Sequence, residues 1–351
     1  MGMPQRSFRL PVADSLKAEA VARYLGGREA AVGDPGDELA RMVARGLDRL
    51  PQPGQGATLE RWRALAAVGA HDLSLAKLYE AHTDALAILE ELDECDAADR
   101  SRIWGVWCAE PPGAGVMVEA TADASEVKLR GAKPWCSGAE AADSGLVSVR
   151  NDKGERLLAA VSLRQPGVRI DLGEWNAVGM QRSRTATLYF DGVPARLVGG
   201  AGSYLERPGF WHGGAGVAAC WYGAAQALGD ALRLRARRSD PHAMAHLGAV
   251  DVALSSAAEI LRSTAHCIDT RPQDDAQWLV LRARLVVEAA CNTVLTHATR
   301  ALGPGPLCGD AHLARLVADL PIYVRQSHAE RDLQQLGEGL GTHGEAVQWT
   351  L

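Results

Sequence analysis

Apolar residues recur at helical spacing near the start of the chain, in "DELARMVARGLDRL" and "AKLYEAHTDALAILEEL". This Ala/Leu/Glu/Arg-rich texture runs from about residue 14 to about residue 98, and "PQPGQG" at 51–56 predicts a loop between helices. From about 103 to 198 the pattern turns to alternation, in "VKLRGAKPWCSG", "SGLVSVRNDKGERLLAAVSL" and "TATLYFDGVPARLV". That predicts short strands separated by turns at "NDKG" and "DGVP", the signature of an antiparallel sheet or barrel. Helical texture returns from about 215, with glycine-rich interruptions at "WHGGAGV" (211–217) and "ALGPGPLCGD" (301–310). The expectation is an α+β chain: an N-terminal helical domain over 1–100, a middle antiparallel β-barrel-like domain over 101–200, and a C-terminal helical bundle over 201–351.

A length of 351 residues fits two or three subdomains, and 47% hydrophobic with 23% charged residues is ordinary for a globular chain. A net charge of −6, with no basic stripe, argues against nucleic acid and anionic membranes as partners. Apolar stretches such as "VAACWYGAAQAL" are too short and too Gly/Ala-rich to suggest a membrane span. The opening "MGMPQRSFRLPVADS" has no apolar signal core, and seven scattered cysteines without a CxxC pair read as reduced thiols. A cytoplasmic location is the expectation.

The stretch "LPIYVRQSHAERDLQQLG" (320–337) predicts one helix begun by Pro321, capped by Asp319 and ended by Gly337. Its polar run would put Gln326 and Glu330 on a shared face. His242 and His246 stand at i and i+4, but neither a glutamate partner nor a third ligand is evident, so no metal is expected.

"AEPPGAG" (109–115) is an acidic, glycine-rich turn at the entry to the strand region. "GAKPWCSG" (131–138) then places Trp135 two residues before Ser137, so that an indole could cover a flat ring while a hydroxyl bonds its edge. With "VGMQRSRTATLYFDGVPA" (178–195) in the same order, these stretches resemble the acyl-CoA dehydrogenase superfamily across most of the chain. The resemblance implies FAD bound between the middle and C-terminal domains, an acyl substrate such as acyl-CoA, and a homodimer or homotetramer. It implies that Trp135 packs near the isoalloxazine and Ser137 approaches its N5 edge, with Glu110, Ser183 and Thr185 in the same pocket. Ala109 replaces the family's threonine in that turn. Arg238 and the turn at Gly303 and Gly305 would meet the cofactor's phosphates, both from a neighbouring subunit.

The resemblance also implies a carboxylate base that removes a proton α to a thioester. Its position near the C-terminus is taken by Gln326, which cannot serve as a base. The alternative position on an earlier helix falls at Gly213, followed by Gly214 where the family has arginine. Glu330 and His328 are the candidate replacements, with His212 beside the second vacant position. Dehydrogenation of an acyl group is the first expectation. A flavin-dependent monooxygenase, needing no such base, is the second, and a non-catalytic ligand-binding relative the third.

Overall fold

The computed structural model describes residues 16–342, except 28, 31–32, 93, 95–100, 112–114 and 122–124. The middle of the "AEPPGAG" turn, Cys95 and the N-terminal segment lie outside the described residues. Four helices come first: α1 (Leu16–Gly26), α2 (Pro35–Val43), α3 (Thr58–His71) and α4 (Leu73–Glu91). Asp72 begins α4 by accepting from the Leu75 amide at 2.8 Å, satisfying one of the orphan donors at a helix start.

Seven strands follow: β1 (Trp104–Trp107), β2 (Val116–Ala120), β3 (Glu126–Cys136), β4 (Ser144–Arg150), β5 (Arg156–Ser162), β6 (Val168–Asp171) and β7 (Ala186–Leu197). The ring β4–β2–β3–β7–β5 closes through the β4–β5 pair, while β1 and β6 lie alongside β4 and β7. Closure removes the exposed sheet edges that a short-stranded domain would otherwise carry. Most pairs are antiparallel as expected, but β1 and β2 run parallel to β4. "NDKG" is a turn between β4 and β5, whereas the turn expected at "DGVP" does not form. The β3–β7 register shifts there, opposite Leu129 and Arg130. Gly192, at φ 65°, absorbs the extra residue as a bulge, so β7 kinks without leaving the ladder.

The remaining helices are α5 (Ser203–Glu206), α6 (Gly209–Arg235), α7 (Pro241–Thr270), α8 (Gln277–Leu302), α9 (Pro304–Gly309), α10 (Ala311–Tyr323) and α11 (Glu330–Thr342). "WHGGAGV" does not interrupt the helix; α6 runs straight through it. The glycines of α3 and α6 serve close packing: a Cβ on Gly69 would strike the Cys220 carbonyl, and one on Gly223 the Ala66 carbonyl. Side chains from α1–α4, α6–α8 and α10 share one apolar core, and the barrel interior forms a second. Helix α4 joins the two regions, since Ala85, Leu86, Ile88 and Leu89 pack against Trp104, Leu146, Leu158 and Val198.

Candidate functional site

Strand β3 ends in an irregular step. Lys133 faces Leu188 and Cys136 faces Ala186, so three steps along β3 match two along β7. Trp135 sits in this step at φ 62°, with its indole 55% exposed. A bulky residue at positive φ is costly and persists only where its surroundings impose it. Four described non-glycine residues have positive φ: Trp135, Met180, Arg184 and Ala329. The first three flank one group of hydroxyls.

That group is Ser137, Thr185 and Ser183. Ser137 Oγ lies 2.8 Å from Thr185 Oγ1, which lies 3.0 Å from Ser183 Oγ. Ser183 Oγ in turn donates to the Met180 carbonyl at 2.7 Å. Each hydroxyl has one proton, and a carbonyl can only accept. Ser183 therefore accepts from Thr185, and Thr185 accepts from Ser137. All three protons are committed in one direction. Ser183 and Thr185 are buried while Ser137 is only partly buried, so the end of the chain that offers lone pairs is the one nearer the surface.

The backbone around this relay is held from several sides. Trp107 Nε1 donates to the Ser137 carbonyl at 3.0 Å, its ring lying across Gly105 and Gly145, where a side chain would collide with it. The Gly138 amide donates to the Ser183 carbonyl at 2.7 Å. The Met180 amide donates to Asp319 at 2.5 Å, and Gly179 lies against the Ala318 carbonyl. Asp319 is thus a buried anchor within α10 and not a helix cap. Burial pushes its carboxyl above the usual range, partly offset by the Met180 amide and by Arg182 and Arg315, while Asp72 adds to the rise. Arg182 pairs with Asp72 and Arg184 with Glu140. These pairs border a cleft of about 320 Å³ between the relay and α2, to which Ser183, Gly138 and Arg164 also contribute.

Glu110 does not join the hydroxyls. It accepts from Arg150 at 2.7 Å and Arg156 at 3.1 Å. Burial alone would raise its carboxyl, and the hydrogen bond from Arg150 with the Arg156 and Lys133 charges outweighs that and lowers it. Arg238 is exposed in the link between α6 and α7. Gly303, at φ 67°, breaks α8 from α9, and Gly305 lies within α9. Nothing in the single chain brings these three to Ser137 among the described contacts. His246 Nδ1 meets His297 Nδ1 at 2.9 Å rather than His242, and no group of three or more metal-type ligands occurs among the described residues.

The stretch 320–337 is not one helix. Pro321 lies inside α10, a 3₁₀ turn covers Val324–Gln326, and a new helix starts at Glu330. Ala329, at φ 49°, makes the break. Gln326 and Glu330 therefore do not share a helical face. Asp332, nearly buried, organises the turn by accepting from the His328 amide at 3.0 Å and the Ser327 hydroxyl at 3.4 Å. It also lies 3.2 Å from His328 Nδ1, leaving Nε2 of that largely exposed ring facing outward. Glu330 is exposed at the first turn of α11.

Two side chains that no sequence motif marks, Arg284 and Asp84, sit at Gln326 and Gly213. Arg284, on α8, donates to the Gln326 carbonyl at 2.9 Å and also to the Gly214 carbonyl. It joins the two positions, with its guanidinium 4.9 Å from the centre of the Trp221 ring. A Cβ on Gly213 would meet Asp84 Oδ1 at 2.7 Å, so a carboxylate from α4 occupies the space a side chain there would take. Arg207 salts to Glu91 at 2.5 Å just before α6. No spacing rule connects Asp84 to Gly213 in the sequence, because the contact is made between helices α4 and α6.

Comparison with protein-family models and with curated proteins found no match. Among solved structures, the chain is similar to the dibenzothiophene monooxygenase TdsC from Paenibacillus sp. A11-2, at 17% identity, covering 94% of this chain and 96% of that one, with a TM-score of 0.76. It is also similar to KijD3 in complex with FMN and a dTDP-amino-keto-sugar, at 20% identity, 97% and 96% coverage and a TM-score of 0.78. A third is methanesulfinate monooxygenase MsuC from Pseudomonas fluorescens, at 19% identity, 95% and 97% coverage and a TM-score of 0.75. At such identities the likeness establishes the fold, which is acyl-CoA dehydrogenase-like.

Proposed function

We propose that this protein is a flavin-dependent oxidoreductase that works with reduced flavin and oxygen, a monooxygenase of the acyl-CoA dehydrogenase fold. The observation that carries the reading is the one-way hydroxyl relay ending at Ser137 beside the exposed Trp135. An indole face and an outward lone pair suit a flat heterocycle with an N–H at its edge. N5 of a reduced flavin carries hydrogen, whereas N5 of an oxidised flavin is itself an acceptor and gains nothing from Ser137. A reduced flavin supplies the two electrons with which oxygen transfers one atom to a substrate and releases the other as water.

The chain's own residues then have separable tasks. Trp135 covers one ring face, and Ser137, fixed through Thr185 and Ser183, holds the ring edge. His328, oriented by Asp332, holds or releases a proton at Nε2, with Glu330 as the second candidate. Glu110 steadies the strand ends through Arg150 and Arg156. Arg238, Gly303 and Gly305 act on phosphate only across a contact with a second copy, as a homodimer or homotetramer would supply. Helix α7 suits such a contact: an 18-residue window within it is strongly apolar and only 17% buried.

Solved neighbours bind FMN, and the FAD expected from the resemblance differs from it only beyond the first phosphate. Titration with FMN and FAD, each oxidised and reduced, tests the reading; reduced flavin should bind at least several-fold tighter. Equal affinity for both redox states would remove the relay argument, and failure to bind either flavin would remove the function.

Dehydrogenation of an acyl thioester is the second reading, and one observation favours it. Asp84 is a carboxylate at the earlier-helix position that Gly213 leaves empty. Anaerobic bleaching of bound flavin by acyl-CoA, lost in Asp84→Asn, would support it over the monooxygenase.

A further inference from the structure

A cleft of about 640 Å³ opens between the loop at 51–55, the second half of α4, the start of α6 and residues 272–273. Its size is that of a small-molecule site. Four prolines, Pro51, Pro53, Pro208 and Pro272, give it rigid apolar walls. Its polar groups are not mutually satisfied. Arg207 is 7% and His212 2% exposed, yet Arg207 Nε and His212 Nε2 are buried without a hydrogen-bond partner. Leaving such groups unpaired costs about 1–3 kcal/mol each, so native structures rarely do so without a reason.

Glu91 is already matched, by Arg207 at 2.5 Å and by the Gly209 amide at 2.9 Å. Asp84 is not: it makes no hydrogen bond or ion pair among the described residues, and its charge reaches Arg61 only at longer range. With Asp84, Glu90 and Glu91 against one arginine, the lining is acidic. An anion would be repelled, and a plain hydrocarbon would leave Arg207, His212 and Asp84 unpaired.

We infer that this cleft binds a small organic ammonium carrying hydroxyl groups, with the ammonium on Asp84 and hydroxyl oxygens accepting from Arg207 Nε and meeting His212 Nε2. The prolines pack against the C–H faces of such a molecule. Burial keeps the His212 imidazole toward its neutral form, against the pull of Glu91 and Asp269 and with that of Arg207. A neutral ring can take or give one hydrogen bond to a hydroxyl without adding charge.

The inference does not rest on the flavin reading, because binding is measured without redox chemistry. Calorimetric titration of the full chain with glucosamine, at mildly acidic pH where its amine is protonated, is the test. Glucose serves as the neutral match and glucose 6-phosphate as the anionic one. Saturable glucosamine binding, with glucose about tenfold weaker or worse and the phosphate not binding, supports the site. Asp84→Asn should weaken glucosamine by about tenfold or more while leaving the circular dichroism spectrum unchanged. Gly213→Ala, which pushes the carboxylate aside and keeps its charge, should weaken it as well. Glucosamine that fails to bind, that binds no better than glucose, or that binds both variants as it binds the parent chain overturns the inference.

Discussion

The barrel rim and the α4/α6 cleft handle polar groups in opposite ways. At the rim, Ser137, Thr185 and Ser183 use every proton they own, and the chain ends in a single free acceptor. In the cleft, Arg207 Nε and His212 Nε2 are buried and unpaired, and Asp84 has no close partner. A closed network specifies the polarity of what it meets without needing it for stability. An open one stays unsatisfied until something arrives. Backbone strain follows the same division, since Trp135, Met180 and Arg184 at positive φ all border the rim.

The most disruptive way to break this comparison is at the anchor of the rim. Gly179→Val would drive a side chain into the Ala318 carbonyl and Ile322. A loss of about 3 kcal/mol in urea unfolding is expected, together with loss of flavin binding; a stable variant that still binds flavin would show that the anchor is dispensable.

Next in size is His328→Gln, which leaves Asp332 its amide contact but removes the imidazole. Turnover should fall by about a hundredfold with flavin affinity intact. Glu330→Gln, in an exposed first turn, should change turnover far less.

Ser183→Ala sharpens the rim side. Without its acceptor, Thr185 is free to donate to Ser137, and Ser137 can then donate outward. The preference for reduced over oxidised flavin should shrink by about tenfold, a difference of roughly 1.4 kcal/mol in hydrogen bonding. Thr185→Val, which cuts the relay one step earlier, should act in the same direction.

The smallest effect belongs to the cleft and to acid. His212 is held below its ordinary value by burial, so below about pH 6.5 the unfolded chain takes up a proton that the folded chain refuses. Stability should therefore fall as pH drops through that range, by at most about 1.4 kcal/mol per pH unit, and be unaffected by His212 above it. Asp319 and Glu80, whose carboxyls burial raises, act in the opposite direction. The difference between parent and His212→Gln isolates the histidine: denaturation midpoints that run parallel across this range would contradict its assignment.

Much of the architecture is legible in hydrophobic periodicity alone. Helical spacing before about residue 98 and alternation after 103 correspond to α1–α4 and the barrel strands. The errors have a common origin in glycine and proline. "DGVP" and "WHGGAGV" look like breaks because such residues usually end elements. Gly192 instead serves a bulge, and within α6 Gly213 faces the Asp84 carboxylate and Gly223 the Ala66 carbonyl, while Gly214 has open space beside it. Pro321 looks like a helix start, whereas Ala329, an unremarkable residue by type, takes the left-handed turn that divides the stretch.

The two sites divide along the same line. Trp135, Ser137, Ser183 and Thr185 came into view through the resemblance of their stretches to a known family, and the pairing of Cys136 with Ala186 is what brings 137 beside 185. Asp84, His212 and Arg284 belong to three helices, and Arg207 to the link before α6, whose mutual placement no local pattern encodes. The sequence by itself determined the order of elements, the strand stretches that meet at the rim, and the absence of a carboxylate at 326 and 213. Only the tertiary structure decided the direction of the hydroxyl protons, the break at Ala329, and the arrival of Asp84 at Gly213. Periodicity records which side of an element is buried, while the partner buried against it is chosen by packing across the whole core.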